Sequence, residues 1–221
     1  MSVADNLNRI IQAKSDIKTA IEKKGVDVGD ITIDKYAEKI DLIEQGGGSG
    51  GKIKVKEGIC LSGSTFTTFD ASNWDWSNVY DCSYMFNGCE KVETITGLNI
   101  SDVYKIDSAF ANCKKLTDVS FVEKWNCKGI TTYYQTFQSC NMITKVDLSN
   151  WDFSNATTVS YMFGYCYALK EVRFGGPIRS DVNTLGMFQF VDTTGTFYYP
   201  KEYDYSKIIN ALPSKWTAVA Y

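Results

Sequence analysis

Apolar residues in the first part of the chain recur three and four positions apart. Leu7, Ile10, Ile17 and Ile21 form one stripe, Lys14 sits on it, and Ile11 widens it. That spacing predicts an amphipathic helix. Ser2-x-x-Asp5 resembles a capping box before it, and Gly25 suits the position just past its end. A turn over residues 25–30 leads to a second short helix predicted over 32–44, with Tyr36, Ile40 and Ile43 on one side. Helices this small cannot bury their stripes alone. They are expected to dock on another copy, another protein or the rest of the chain. The residues assigned to anchoring or oligomerisation are Leu7, Ile10, Ile11, Ile17, Ile21, Tyr36 and Ile40. Residues 46–51, five of them glycine, read as a flexible linker.

After residue 52 the pattern becomes a repeat. Phenylalanine is followed three residues later by cysteine at Phe86/Cys89, Phe110/Cys113, Phe137/Cys140 and Phe163/Cys166, with a degenerate copy at Met187-Phe188-Gln189-Phe190. Successive Phe positions lie 24, 27, 26 and 25 residues apart, the signature of a solenoid. Alternating runs after each cysteine read as strands: Val92 to Ile95, Leu116 to Val119, Ile143 to Leu148 and Leu169 to Phe174. Next comes a turn holding a tryptophan or a substitute. A short helical segment then carries Tyr84-Met-Phe86 or Tyr161-Met-Phe163 into the core. Stacked coils would pair their strands as a parallel ladder. Residues 195–200, 203–212 and 216–221 read as a strand, a helix and a closing strand that cap the end. The expected fold class is α/β: a leucine-rich-repeat-like solenoid (52–221) with a parallel β-ladder, preceded by a small α-helical N-terminal module (1–45).

Composition narrows the chemistry. The 221 residues include no histidine, which removes Ser-His-Asp triads, Cys-His dyads and histidine-ligated zinc. The 26 acidic and 23 basic residues give a charge of −3, so nucleic acid is not the expected partner. No apolar stretch reaches the ~18 residues of a membrane span. Residues 1–8 have no signal-peptide pattern. The seven cysteines form no C-x-x-C pair and fit reduced thiols, with four of them a core filler and Cys60, Cys82 and Cys127 outside the register. Residues 46–52 match G-x-x-x-x-G-K, but Ile53 replaces the magnesium-binding hydroxyl and no strand precedes, so no nucleotide site follows. Asp75 and Asp152 lie about three coils apart, too far for a catalytic pair at ~5 Å per coil. No enzyme activity and no cofactor or metal are expected. The asparagines beside the tryptophans (Asn73, Asn78, Asn150, Asn155) suit turn backbone groups. Trp76, Tyr80, Tyr104, Tyr133, Tyr134 and Phe153 fall in the variable loops and are the candidate ligand-binding residues, since exposed aromatics mark recognition surfaces.

Two stretches carry resemblances. Asp147-Leu-Ser-Asn-Trp-Asp-Phe-Ser-Asn155, followed by Val159-Ser-Tyr-Met-Phe-Gly-Tyr-Cys166, resembles the repeat of BspA-like leucine-rich-repeat surface proteins, as does the copy at residues 72–89. The ending Gly195-Thr-Phe-Tyr-Tyr-Pro200 is similar to that of such proteins from gut Bacteroidetes and their phages. This resemblance implies a curved solenoid used for adhesion or recognition. The middle copies, around Leu98 and Trp125, depart from its Asn-Trp-Asp pattern. The stretch Asn6 to Ile21, then Gly25-Val-Asp-Val28 and Tyr36-Ala-Glu-Lys-Ile40, resembles a helical module of tailed-phage fibre and appendage proteins. It implies attachment to a virion capsid or tail protein. The expectation is therefore a virion appendage subunit, made in the host cytoplasm without a signal peptide. It would be a trimer or dimer that recognises a host surface protein or glycan. The alternative is a bacterial cell-surface adhesin; a glycan-cleaving solenoid would need a carboxylate cluster that the sequence does not show.

Overall fold

In every coil the same inward positions recur, and their side chains stack on those of the coils before and after. The computed structural model describes residues 53–55, 59–72 and 74–221. The helical module, the linker and the anchoring residues Leu7, Ile10, Ile11, Ile17, Ile21, Tyr36 and Ile40 lie outside the described residues. The described chain is a parallel β-solenoid of about six turns. Its strands are β1 (Ile53–Lys54), β2 (Thr68–Asp70), β3 (Trp74–Asp75), β4 (Thr94–Thr96), β5 (Lys145–Leu148), β6 (Glu171–Phe174), β7 (Gly195–Tyr199) and β8 (Trp216–Ala220). They form three parallel sheets in the orders β1-β3, β2-β4 and β5-β6-β7-β8. The one α-helix among the described residues, α1 (Ser206–Asn210), buries Ile208 at the C-terminal end.

A column of phenylalanines runs up the core. Phe86, Phe110, Phe137, Phe163 and Phe188 stack with successive ring centroids 5.6, 5.6, 5.8 and 5.6 Å apart. The cysteine three residues on is more than a filler. Cys113, Cys140 and Cys166 each donate from Sγ to the carbonyl of the preceding coil's phenylalanine, at 3.0–3.2 Å, and Cys89 donates to Leu61 O at 3.2 Å. Small size and a weak donor are both used.

The expected helical segments are not helices. Each is a chain of tight turns with two residues in the left-handed region, four apart: Tyr84 and Gly88, Ser108 and Asn112, Gln135 and Ser139, Tyr161 and Tyr165, Gly186 and Phe190, all with φ between 54° and 71°. Positive φ at the third residue is the mark of a type II turn. Within a coil, Met85 N–H donates to Cys82 O (3.2 Å) and Cys89 N–H to Phe86 O (3.0 Å), closing turns whose third residues are Tyr84 and Gly88, and Asn87 N–H donates to Tyr84 O (3.1 Å) between them. The alternate groups point along the solenoid axis: Tyr84, Phe86 and Gly88 N–H donate to Asp107, Ala109 and Ala111 O at 2.7–2.9 Å. A helix would keep these bonds to itself; the turns hand half of them to the next coil.

The strand expected at Leu116 to Val119 does not form either. Asp118 accepts from the Ser120 N–H (2.9 Å) and hydroxyl (2.8 Å), an Asx turn that bends the chain into a 3-10 helix, Ser120–Lys124. Differences in coil length are confined to this corner. From each phenylalanine to the inward strand residue is always nine residues, as from Phe86 to Ile95 and Phe110 to Val119. From the buried Trp74, Leu98, Trp125 and Trp151 to the next phenylalanine is always twelve. The link between varies: five residues from Phe69 to Trp74, three from Ile95 to Leu98, six from Val119 to Trp125 and five from Val146 to Trp151.

Two outcomes test this architecture. Ser139→Gly, at φ 58°, should raise stability by up to about 1 kcal/mol, whereas Gly88→Ala, at φ 71° with only ordinary van der Waals contact from the Gly63 backbone, should lower it by about 1 kcal/mol, as urea unfolding would show. All seven cysteines are thiols, and only Cys60 is exposed. A thiol reagent should therefore titrate Cys60 alone in the native protein and the other six after denaturation. Burial pushes the Cys166 thiol up from an ordinary 9.0 to about 12 and raises Cys113 and Cys140 well above that ordinary value. Unfolded thiols ionise first, so the stabilisation is complete below pH 9 and shrinks as pH rises towards 12. The urea midpoint should fall over that range.

Candidate functional site

The chain between the tryptophan corner and the left-handed turns sends side chains alternately inward and outward. Inward positions repeat as Trp74-x-Trp76-x-x-Val79-x-x-Cys82, Leu98-x-Ile100-x-x-Val103-x-x-Ile106, Trp125-x-Cys127-x-x-Ile130-x-x-Tyr133 and Trp151-x-Phe153-x-x-Ala156-x-x-Val159, all buried. Three of the six candidate binding residues are therefore core. Trp76 stacks on Trp74 at 5.5 Å, Tyr133 packs on Phe153 at 4.8 Å, and Phe153 stacks on Phe174 at 4.3 Å. The Tyr133 hydroxyl donates to the carbonyls of Cys127 (3.3 Å) and Asp152 (3.1 Å). Cys82 and Cys127 fill the same inward positions and do not break the register.

Tyr80, Tyr104 and Tyr134 are exposed, as expected. Tyr80 and Tyr104 occupy one position in adjacent coils and stack at 6.1 Å. Lys105 Nζ lies 5.8 Å from the Tyr104 ring centroid and 3.2 Å from Asp81. Burial alone would raise the Asp81 carboxyl, but the Ser83 amide and hydroxyl, with Lys105, hold it below its ordinary value. Asp107 is the half-buried group beside them. Its Oδ1 accepts from Thr132 Oγ1 (2.7 Å) and Tyr134 N–H (3.2 Å). Desolvation outweighs those bonds and raises its carboxyl.

Further along the turn face are aromatic residues that the repeat pattern did not single out. Tyr84, Tyr161, Tyr165 and Phe190 occupy left-handed positions, and Tyr84 and Phe190 are more than half exposed. Tyr165 packs on Phe190 (4.8 Å) and Tyr167 (6.4 Å), and Tyr134 meets Tyr161 edge-on at 6.2 Å. The Tyr161 ring lies against Gly186: a Cβ there would sit 2.5 Å from it. The signal that could have found these residues is the occupant of the matching positions elsewhere, Gly88 and Asn112.

A concavity of about 630 Å³ lies where the shortest coil meets the 3-10 helix. Leu98, Asn99, Asp118, Phe121, Glu123 and Trp125 are among its lining residues. Trp151 Nε1 donates to Val122 O (3.0 Å), but Trp125 Nε1, one coil earlier, is buried with no acceptor. The shortened link from Ile95 to Leu98 supplies no carbonyl for it.

Asp75 and Asp152 accept the N–H groups of Ser77 (3.1 Å) and Ser154 (2.8 Å), so both serve as turn caps. Asn150 Nδ2 donates to Glu123 O (2.9 Å), the backbone role expected of it. Asn73 lies outside the described residues. No group of three or more acidic or cysteine side chains placed to hold a metal occurs among the described residues.

The geometry defines a repeat protein of the parallel β-solenoid class. Residues 60–174, more than half of the chain, match the family model described as Mycoplasma protein of unknown function, DUF285, and the chain belongs to that family. No curated protein and no solved structure matches it.

Asp107 offers a direct check on the electrostatics of the turn face. Asparagine keeps the Oδ1 acceptor and removes a charge that burial disfavours. Asp107→Asn should raise stability at pH 7 by roughly a few tenths of a kcal/mol, since solvent screening at a half-exposed site keeps the effect small. The gain should vanish as pH falls below the ordinary carboxyl value of 3.8, where the wild-type group is neutral in both states.

Proposed function

We propose that the protein is a binding module of a phage virion appendage, attached through its N-terminal residues and presenting the turn face of the solenoid to a host-surface protein or glycan. One observation carries the recognition part: exposed tyrosines, Tyr80, Tyr104 and Tyr134, are set on a backbone whose every coil is hydrogen-bonded to the next. Rigid aromatic side chains give contact area at little entropic cost, and the ladder fixes their spacing. Attachment to a capsid or tail protein, and assembly as a trimer or dimer, rest on the apolar stripe of residues 7–21 and the resemblance of residues 6–40 to an appendage module. Several copies on one particle would turn weak contacts into firm attachment. The reading assigns no chemistry to the chain: its candidate acids, Asp75 and Asp152, cap turns in separate coils.

A second reading keeps the recognition face and moves the protein to a bacterial surface, as an adhesin. The family description, which names a bacterium, favours it. Antibody labelling of purified particles and of cell envelopes separates the two. Label on particles, lost when residues 1–45 are deleted, is the expected result; label on envelopes alone selects the adhesin. On either carrier, the triple variant Tyr80→Ser, Tyr104→Ser, Tyr134→Ser should lower attachment to host cells at least tenfold with an unchanged melting temperature. Full attachment by the triple variant would sink the recognition face.

A further inference from the structure

The later coils differ from the earlier ones in two ways that point to one ligand chemistry. The first is charge. Residues 129–144, 153–169 and 182–191, which form the turn segments of the third, fourth and fifth phenylalanine coils and the chain leading into them, contain no Asp, Glu, Lys or Arg. The corresponding stretches of the first two coils, residues 76–92 and 100–116, carry Asp81, Glu90 and Lys91, and Asp102, Lys105, Asp107, Lys114 and Lys115. The second is strain at the second left-handed position, the first one holding a bulky residue in an early coil too, Tyr84 at φ 57°. The second left-handed position of each coil holds Gly88, Asn112 and Ser139, and then Tyr165 and Phe190, at φ 63° and 60°. A bulky side chain there is a genuine conformational outlier costing on the order of 1–2 kcal/mol. Packing into the core does not offset it, because Phe190 is 57% exposed. Strain kept at an exposed aromatic points to use of that side chain outside the fold.

Around these two rings the surface offers further aromatic groups and uncharged hydrogen-bonding groups. Tyr165 and Phe190 pack together at 4.8 Å with Tyr167 beside them. Gln189 precedes Phe190 in the chain, and Gln138 precedes Ser139, which holds the matching position one coil before Tyr165. Aromatic rings with amides and hydroxyls suit a ligand that has apolar C–H faces edged by neutral hydroxyls. Asp192, two residues beyond Phe190, is paired with Lys215 Nζ at 2.7 Å, so that cation is already held by a carboxylate rather than offered to an acidic saccharide or a phosphate. A purely apolar partner would leave the amides unpaired.

We propose that Tyr165 and Phe190 form a subsite for an uncharged saccharide, with Tyr167 at its edge. The proposal rests on the recognition reading above and names the ligand class for this end of the turn face. The test uses the full chain on an array of neutral and anionic glycans, with the double variant Tyr165→Gly, Phe190→Gly as control. Glycine is the residue that the first coil carries at this position, so the variant relieves φ at both sites and should melt no lower than wild type. Binding to neutral glycans, reduced at least tenfold in the variant, is expected. No binding to any neutral glycan, binding confined to anionic ones, or binding indifferent to the variant overturns the subsite. Attachment to cells that needs Tyr80, Tyr104 and Tyr134 but not Tyr165 and Phe190 overturns the subsite and leaves recognition standing. Absence of all cell attachment overturns the recognition reading itself.

Discussion

The hydrogen bonds that pass from the turns of one coil to the turns of the next are the constraint on which the solenoid depends. Every second N–H in these segments leaves its own coil, so each coil must present its carbonyls at the height and phase its neighbour needs. The backbone meets that demand only by entering the left-handed region twice per coil. For non-glycine residues each entry costs on the order of 1–2 kcal/mol. The phenylalanine column supplies the opposing term, since full burial of one such ring contributes about 1.5–3 kcal/mol. The cysteine thiol adds a donor to the carbonyl of the preceding phenylalanine. Phenylalanine and cysteine recur together because one fixes the stacking distance and the other satisfies the carbonyl beside it.

That constraint explains where the coils are free to differ. The nine residues after each phenylalanine and the twelve before the next are held by ladders and core contacts, so their number does not change. The link between strand and tryptophan corner carries no such continuous ladder, and its length runs from three to six residues. Where the shortest link lies beside the longest, the strand ladder is interrupted, a 3-10 helix replaces the strand, and a cleft opens over an unpartnered indole N–H. Variation in length at one corner and variation in side chain on the turn face are thus separate freedoms of the same scaffold.

Much of this was legible in the sequence. The period, the phenylalanine and cysteine columns, the strands β4 to β6 and the closing β7, α1 and β8 follow from spacing alone. The turn segments depart from the helices their spacing predicts for a physical reason. Their buried residues, Cys82, Met85, Phe86 and Cys89, fall at i, i+3, i+4 and i+7, the pattern of an amphipathic helix. A chain of tight turns presents the same inward positions, and only the occupants of the left-handed sites, Gly88 and Asn112, distinguish the two. Trp76, Tyr133 and Phe153 lie in the core, against the expectation from the repeat, for a related reason. Their coil-to-coil equivalents are chemically unlike: Trp76 matches Ile100, Cys127 and Phe153, and Tyr133 matches Cys82, Ile106 and Val159. The position is common to the coils while the side-chain size is not, because each layer fills the volume left by its neighbours.

The same reasoning gives the turn face its meaning. Apart from the buried Ser108, side chains at the left-handed positions are partly or well exposed, so core packing does not set their identity. Folding energy alone would favour glycine or asparagine at such a site. Tyr84, Tyr161, Tyr165 and Phe190 are therefore the residues of the repeat least explained by the fold. Tyr161 is partly accommodated, since its ring rests on the bare backbone of Gly186 and is fixed there. Phe190 has no such shelter and stands more than half exposed beside Tyr165. The ladder holds both rings at the spacing of adjacent coils, which is the rigidity a weak, repetitive ligand requires of its receptor.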